Sequence, residues 1–198
     1  MSQEKVSSSY IIQFIYLFIL FSILGPIETA LAKCNIREEE IFTDFSLVSE
    51  EGKRFPCHRL ILGTQSPVLM AMMVSDMKEK KENEVKLEYG EEIVKQFVDY
   101  FYTGEVPHES LKENMKTFLE LADFYDLSSL KQQTEKAAIS KMSCENMVDM
   151  YVLADLYRAE NLKETAENLI KRNKDTLKKQ DLSGLPVNIY VDIVKILC

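Results

Sequence analysis

Hydrophobic and polar residues alternate over short stretches in the first half of the chain and follow helical spacing in the second half. FSLVS at 45–49 alternates and is rich in strand formers, EEGK at 50–53 offers a turn, and RFPC at 54–57 returns as a second short strand. EVKLE at 84–88 alternates in the same way. Two-residue periodicity interrupted by a glycine-containing turn is typical of a β-hairpin. We therefore predict a hairpin followed by a third strand.

Helical patterning follows the hairpin, over residues 58–63. Ser66 followed by Pro67 has the chemistry of a helix start, because the serine oxygen can cap a free amide and proline has no amide to lose. From Glu91 the apolar residues fall on one helix face. Gly104 is suited to the left-handed conformation that ends a helix, so we predict that this helix stops there.

One phrase occurs twice in the second half of the chain. LADFYDLSSLKQQTE at 121–135 and LADLYRAENLKETAE at 153–167 share seven identical positions out of fifteen, at an offset of 32 residues. Each copy starts on an apolar helix face, crosses a polar turn and enters a second helix, so each predicts an αα-hairpin. Because a solenoid needs about three repeats, we expect the first hairpin to complete a mixed domain and the second to stack on it. The apolar stretch at 185–197 predicts one more helix, starting at Pro186.

Composition limits the size and the class of the protein. With 198 residues and a hydrophobic fraction of 46%, the chain can form one domain with a buried core, or one domain plus a small extension. The formal net charge is −8, which argues against a general nucleic-acid binder. We interpret the densest basic run, KRNKDTLKK at 171–179, as a solvated helix end.

Residues suited to metal binding or catalysis are few and scattered. The cysteines and histidines are Cys34, Cys57, Cys144, Cys198, His58 and His108. No pair of cysteines has metal-ligand spacing, so we predict no metal and no cofactor, with the cysteines reduced. The repeated aspartates Asp123 and Asp155 are better explained by solvation or turn hydrogen bonds than as an acid–base pair. We find no catalytic constellation and predict that the protein is not an enzyme.

The N-terminus is strongly apolar. YIIQFIYLFILFSIL at 10–24 is followed by Ala30-Leu31-Ala32. A transmembrane helix needs about 20 apolar residues, whereas a signal peptide has a core of about 7–15 and a small-residue exit. Residues 1–32 therefore favour a signal sequence. Two alternatives stay open: a membrane anchor formed by residues 10–27, and an unusual first segment on an intracellular protein.

Residues 41–140 resemble the BTB/POZ domain family. The resemblance rests on several spaced motifs in the right order: FTDFSLV (42–48), FPCHRLILGTQSPVLMAMMVSDMKEK (55–80), VKL (85–87), FVDYFYTGEV (97–106) and LELADFYDLSSLKQQTE (119–135). It implies an α+β fold, a small mixed sheet with helical hairpins. Residues 141–198 resemble the helical 3-box, or partial BACK extension, of speckle-type POZ proteins, here without their MATH domain.

The resemblance implies a non-catalytic function. Members of that family act as substrate adaptors of a cullin-RING E3 ubiquitin ligase, in which the BTB face and the helical box bind type-3 cullin while another domain holds a substrate protein. The cullin-contact motif of the family matches Met77-Lys78-Glu79 in DMKEK, so Met77 and Glu79 are the predicted cullin-binding residues. Asp44 and His58 match family positions that we expect to be structural.

Two alternatives to the adaptor hypothesis follow from the same sequence. The chain could be a homodimerising or heterodimerising BTB module without cullin binding, although residues 31–41 match the dimerisation helix of the family poorly. It could also be a membrane-tethered or secreted BTB-like protein. The resemblance favours a location in the cytoplasm or nucleus. We give it more weight than the apolar segment at residues 1–32, because about a hundred residues carry the resemblance.

Overall fold

The structure is a computed structural model that describes residues 40, 42–75, 82–177, 182 and 184–197. The strands are β1 (Phe45–Val48), β2 (Arg54–Cys57) and β3 (Glu84–Lys86). The helices are α1 (Arg59–Gln65), α2 (Pro67–Val74), α3 (Glu91–Thr103), α4 (His108–Glu113), α5 (Met115–Phe124), α6 (Ser128–Ser140), α7 (Met147–Leu156), α8 (Glu160–Arg172), α9 (Lys174–Leu177) and α10 (Val187–Leu197). A small sheet beside many helices confirms the predicted α+β class. The chain forms two compact units that divide after Gly104.

The sheet of the first unit has the strand order β2-β1-β3. The predicted hairpin is confirmed: β1 and β2 pair antiparallel, and Gly52 occupies the turn with a φ of 86°. Only glycine adopts that conformation without a steric penalty. β3 pairs with β1 in parallel. It ends at Lys86, two residues before the predicted end, because the chain turns there and the Tyr89 carbonyl accepts a hydrogen bond from the Glu50 amide.

The helix signals in the first unit are confirmed. Ser66 caps α2, since its hydroxyl oxygen accepts a hydrogen bond from the Leu69 amide at 3.1 Å. Gly104 ends α3 with a φ of 76°. α1 runs two residues further than predicted, to Gln65, whose side chain donates a hydrogen bond to the Phe101 carbonyl at 2.6 Å. The fully buried large side chains of this unit are Leu47, Leu62, Leu69, Phe97 and Phe101.

Both predicted αα-hairpins are present in the second unit, as α5–α6 and α7–α8. Each hairpin turns through a non-glycine residue in the left-handed conformation: Asp126 with a φ of 54° and Arg158 with a φ of 53°. In each turn the next amide donates to the carbonyl of the repeated alanine, Ala122 or Ala154, at 2.8 Å. This is the hydrogen bond of a Schellman motif, which satisfies a carbonyl at the helix end.

Two apolar clusters hold the second unit together. One joins the hairpins and contains the buried residues Leu119, Ala138, Met150, Ala154, Ala159 and Leu162. The other packs the second hairpin against the last helices and contains Met147, Val148, Tyr151, Ala166, Ile170, Leu177, Ile189 and Ile193. The basic run at 171–179 is not a single helix end, because α8 stops at Arg172 and the short α9 buries Leu177. α10 begins at Val187, directly after the predicted Pro186.

Several sequence predictions fall outside the described residues. These include every interpretation of residues 1–32 and of residues 10–27, and the states of Cys34 and Cys198. Within the part of the chain that the structure describes, no helix is both long enough and apolar enough to cross a membrane. Among the described cysteines, Cys57 and Cys144 are reduced thiols, the first buried and the second partly exposed.

Candidate functional site

The predicted cullin-contact residues Met77 and Glu79 lie outside the described residues, in the connection between α2 and β3. The two ends of this connection are described. α2 ends at Val74, and Asn83 stands immediately before β3 in a left-handed conformation with a φ of 56°.

Arg59, the first residue of α1, contacts both ends of that connection. Its Nη1 donates a hydrogen bond to the Met73 carbonyl at 3.3 Å, and its Nη2 donates to the side-chain oxygen of Asn83. The guanidinium carbon also lies 5.1 Å from the centre of the Phe45 ring, a cation–π distance. A single planar side chain therefore links the end of α2 to the residue before β3.

Asp44 holds the backbone at the start of α1. Its Oδ1 accepts a hydrogen bond from the Arg59 amide at 2.8 Å, and its own carbonyl accepts from Arg59 Nε at 3.4 Å. The first amides of a helix have no partner within the helix. His58, at the N-cap position, makes no capping bond with its side chain, so Asp44 supplies a cap from a distant part of the sequence.

His58 is bound to Tyr102 through two atoms. Its amide donates to the Tyr102 hydroxyl at 3.1 Å, and its Nδ1 lies 2.7 Å from the same oxygen. The hydroxyl oxygen of Tyr102 therefore contacts both the backbone and the ring of His58. Asp44 and His58 are thus brought together at the N-terminus of α1.

The repeated hairpins of the second unit carry the same ion pair at the same place. Lys131 Nζ lies 2.6 Å from Asp123 Oδ1, and Lys163 Nζ lies 2.6 Å from Asp155 Oδ1. Each pair joins the first helix of its hairpin to the second helix, across the turn. Each of the two aspartates is therefore a hairpin residue with a cationic partner.

The first hairpin also binds the turn of the second. Arg158 donates to both carboxylate oxygens of Asp123, at 2.8 and 3.2 Å, and Lys131 Nζ donates to the Tyr157 carbonyl at 3.0 Å. Glu135 is 3% exposed and accepts from the amide and the side-chain nitrogen of Asn161, at 3.2 and 2.6 Å. We call Asp123, Lys131 and Glu135 the first clamp, since together they hold residues 157–161.

These contacts shift the pKa values of Asp123 and Arg158. Burial raises the pKa of the Asp123 carboxyl, but hydrogen bonds from Arg158 and Lys131 outweigh burial and leave that pKa below its ordinary value. The hydrogen bond to Asp123 in turn raises the pKa of Arg158. The ionised forms of both groups are therefore the stable ones in the folded chain.

Sequence reasoning missed the first clamp, although its signal was present. Asp123, Lys131 and Glu135 are three of the seven positions that are identical between the two phrases. Apolar packing and turn chemistry within each copy explain such identities without any contact between the copies. Contacts from one copy to the next are a further reason for a polar residue to recur.

Comparison with known proteins identifies the fold family. The family model described as BTB/POZ domain matches residues 34–142. This chain belongs to the BTB/POZ family. The match confirms the family resemblance and the BTB form of the α+β fold, and a BTB domain is a protein-interaction module. The finer likeness to speckle-type POZ proteins stays a prediction.

Curated proteins similar to this BTB chain include kelch-type members. "Kelch repeat and BTB domain-containing protein 2" from Homo sapiens and from Pongo abelii is 30% identical over 159 residues, which cover 79% of this chain and 25% of the relative. "Kelch-like protein 23" from Homo sapiens is 26% identical over 181 residues, which cover 90% of this chain and 32% of the relative. The chain thus spans a quarter to a third of the length of these relatives.

Proposed function

We propose that this BTB protein is a non-catalytic substrate-adaptor component of a cullin-RING E3 ubiquitin ligase and that its partner is type-3 cullin. The observation that carries the proposal is the BTB/POZ match over residues 34–142, in a chain whose similar proteins combine BTB with kelch segments. The function is binding: the protein brings a substrate protein, held by another domain or chain, to the ligase.

Met77 and Glu79 are the proposed cullin contacts. An unbranched methionine adapts to an irregular helical groove, and a nearby carboxylate supplies a directed polar contact. The contacts of Arg59 with Met73 and Asn83 support this assignment, because they fix the two described ends of the connection in which Met77 and Glu79 lie. Anchored ends lower the entropy that a connection loses when a partner binds.

The helical extension is the second part of the proposed interface. We propose residues 41–140 as the BTB domain and 141–198 as a 3-box or partial BACK segment. The first clamp supports a common function for the two parts, since it ties the turn between α7 and α8 to α5 and α6 by charge-assisted hydrogen bonds. A rigid pair of hairpins offers a partner a fixed surface without further ordering.

Calorimetric titration tests this function. Residues 33–198 are titrated with the N-terminal helical region of type-3 cullin, and the same region of a different cullin type is the control. We expect saturable binding to type-3 cullin and none to the control. Absence of binding to type-3 cullin would remove the adaptor function, and equal binding to both would remove its specificity.

Self-association is a second candidate function. The first unit exposes large apolar side chains, with Phe42 at 89%, Leu60 at 48% and Val74 at 58%. Exposed apolar groups of this size favour association with another protein or a second copy. Light scattering distinguishes the cases: a dimer that does not bind cullin would support the second candidate, whereas a monomer at tens of micromolar would count against it.

We propose the cytoplasm or nucleus as the location, since the proposed cullin partner acts there. The alternatives for residues 1–32, a cleaved signal or a membrane anchor, predict a different location. Microscopy of a fusion at the C-terminus separates them. A signal in the lumen of the endoplasmic reticulum would overturn the adaptor proposal, because the domain could not reach a cytosolic cullin.

A further inference from the structure

Helix α2 is apolar on all of its sides, with the sequence PVLMAMMV. Its buried residues are Leu69 and Met73, whereas Pro67, Ala71 and Val74 are exposed. The three exposed residues follow the i, i+4, i+7 spacing of one helix face, and we call them the outer face of α2. A helix that is apolar all round is normally buried all round. The outer face therefore has the composition of a contact surface.

Two more exposed apolar side chains belong to the same end of the first unit. Arg59, at the start of α1, donates a hydrogen bond to the Met73 carbonyl at 3.3 Å, so the start of α1 lies beside the end of α2. Leu60 follows Arg59, and Phe42 stands two residues before the Asp44 that binds the Arg59 amide. Both side chains are exposed. The exposed large apolar residues described in this unit therefore lie in segments that meet around Arg59.

The chain enters this region through a tight turn. The amide of Thr43 donates to the Glu40 carbonyl at 3.5 Å, and the Thr43 hydroxyl donates to the same oxygen at 3.2 Å. Glu40 and Phe42 have left-handed φ angles of 52° and 60°, which are uncommon for residues with large side chains. The connection to the preceding residues therefore begins close to Arg59 and the end of α2.

The same chain carries an apolar stretch that fits such a surface chemically. Residues 10–24, YIIQFIYLFILFSIL, are interrupted only by Gln13 and Ser22. In the cytoplasm or nucleus, the proposed location on which this inference rests, the stretch is surrounded by water unless it finds an apolar contact. Burying it against the outer face of α2 removes apolar area of both from water, which is favourable in proportion to that area.

The connection is long enough to bring the two together. Leu24 and Phe42 are 18 positions apart, and an extended chain of that length spans up to about 60 Å. A tethered segment acts at an effective concentration of about a millimolar. A second copy of the chain at micromolar concentration is therefore the weaker competitor for the surface.

We propose that residues 10–24 fold back on the first unit and cover the outer face of α2 in the same molecule. The segment then acts as an internal cover, and it is neither a cleaved signal nor a membrane anchor. Self-association through the exposed apolar residues of this unit would require the cover to be displaced. The cover is thus an autoinhibitory contact built into the chain.

Photo-crosslinking of the full chain tests this contact. A benzophenone amino acid replaces Val74, and the control carries it in place of Leu156, which is exposed to a similar degree in the second unit, 62% against 58%. We expect crosslinks to residues 10–24 from position 74 and none from position 156. Mixing chains of two isotopic masses identifies the pairing, because crosslinked peptides of a single mass class come from one molecule.

Variants of the segment separate an apolar contact from chance proximity. The test variant has three aspartates inside the stretch: Leu17→Asp, Phe18→Asp and Ile19→Asp. The matched control has three aspartates just before it: Ser7→Asp, Ser8→Asp and Ser9→Asp. The test variant should lower the crosslink yield from position 74 at least about tenfold, because burying an unpaired charge is unfavourable. The control should leave the yield unchanged, and equal yields in the two variants would overturn the proposal.

Flotation with phosphatidylcholine vesicles distinguishes the remaining outcomes. A full chain that stays in the aqueous fraction without crosslinks to residues 10–24 would overturn the proposal and leave the proposed location intact. Crosslinks of mixed isotopic mass would overturn it in favour of a second copy. A chain that floats with the vesicles would overturn both the proposal and the proposed location, in favour of a membrane anchor.

Discussion

Arg158 binds the carboxylate of Asp123 with two nitrogens, Nη2 to Oδ2 at 2.8 Å and Nε to Oδ1 at 3.2 Å, across 35 positions of sequence. The arginine belongs to the second αα-hairpin and the aspartate to the first. A two-point bond of this kind fixes orientation as well as distance. It therefore sets the register in which one copy of the repeated phrase stacks on the other.

Replacing Asp123 should cost more stability than replacing its repeat equivalent. Asp123→Asn weakens hydrogen bonds to two cations and should lower the free energy of unfolding by about 1–2 kcal/mol. Asp155→Asn is the matched control; it affects one partly exposed lysine contact and should cost about 0.5 kcal/mol. Urea unfolding monitored by circular dichroism measures both. An equal loss in the two variants would show that Arg158 adds nothing to the stacking of the hairpins.

The low pKa of Asp123 predicts a loss of stability in acid. The unfolded carboxyl titrates near pH 3.9, and the folded one below that, since Arg158 and Lys131 outweigh the effect of burial. The contribution is fully present above the unfolded pKa and is lost as the pH falls through the folded pKa. Asp123→Asn should make the free energy of unfolding depend less steeply on pH below about pH 4, by at most the equivalent of one proton. A slope identical to that of the parent would contradict the assignment.

The buried Glu135 offers a second comparison between the copies. Glu135→Ala removes the acceptor of the Asn161 amide inside the hairpin pair, and an unsatisfied buried donor costs about 1–3 kcal/mol. Its repeat equivalent Glu167 is partly exposed, so Glu167→Ala should change stability by about 0.5 kcal/mol or less. Thermal unfolding of the two variants measures both losses of stability. A loss in Glu135→Ala that is no larger than the loss in Glu167→Ala would show that the first clamp does not stabilise the hairpin pair.

Asp44 should act as a cap for α1. Asp44→Ala removes the acceptor of the Arg59 amide and should cost about 1 kcal/mol, the usual effect of losing a helix cap. Asp44→Asn keeps a side-chain oxygen and should cost less. Chemical unfolding of the two variants distinguishes capping from a role of the charge alone. If only the charge mattered, both substitutions would lower the free energy of unfolding equally.

Local signals predicted much of the fold because each is decided by neighbouring residues. Gly52 in the hairpin turn, Ser66 before Pro67 and Gly104 at the end of α3 all occupy the predicted conformations. The parallel pairing of β3 with β1 was not predicted. Alternation specifies a strand but does not specify which neighbour it joins or in which direction.

The polar contacts between the hairpins could not be derived from spacing alone. Asp126 and Arg158 adopt left-handed turns without glycine, so the usual marker of a helix end is missing at both. The partner of Arg158 lies in the previous copy, and no local pattern points to it. The recurrence of Asp, Lys and Glu at the 32-residue offset was the available sign. It indicates that a polar residue repeats where it meets the next copy.

The affinity of residues 33–198 for type-3 cullin, with and without Met77→Glu plus Glu79→Lys, tests the central claim most directly. Glu88→Lys, at an exposed position just after β3, controls for the change of charge. We predict that the parent and Glu88→Lys bind alike and that the double variant binds at least about tenfold more weakly, as expected when anchor residues are lost. Equal affinity of all three proteins would contradict the assignment of Met77 and Glu79 as the cullin contact.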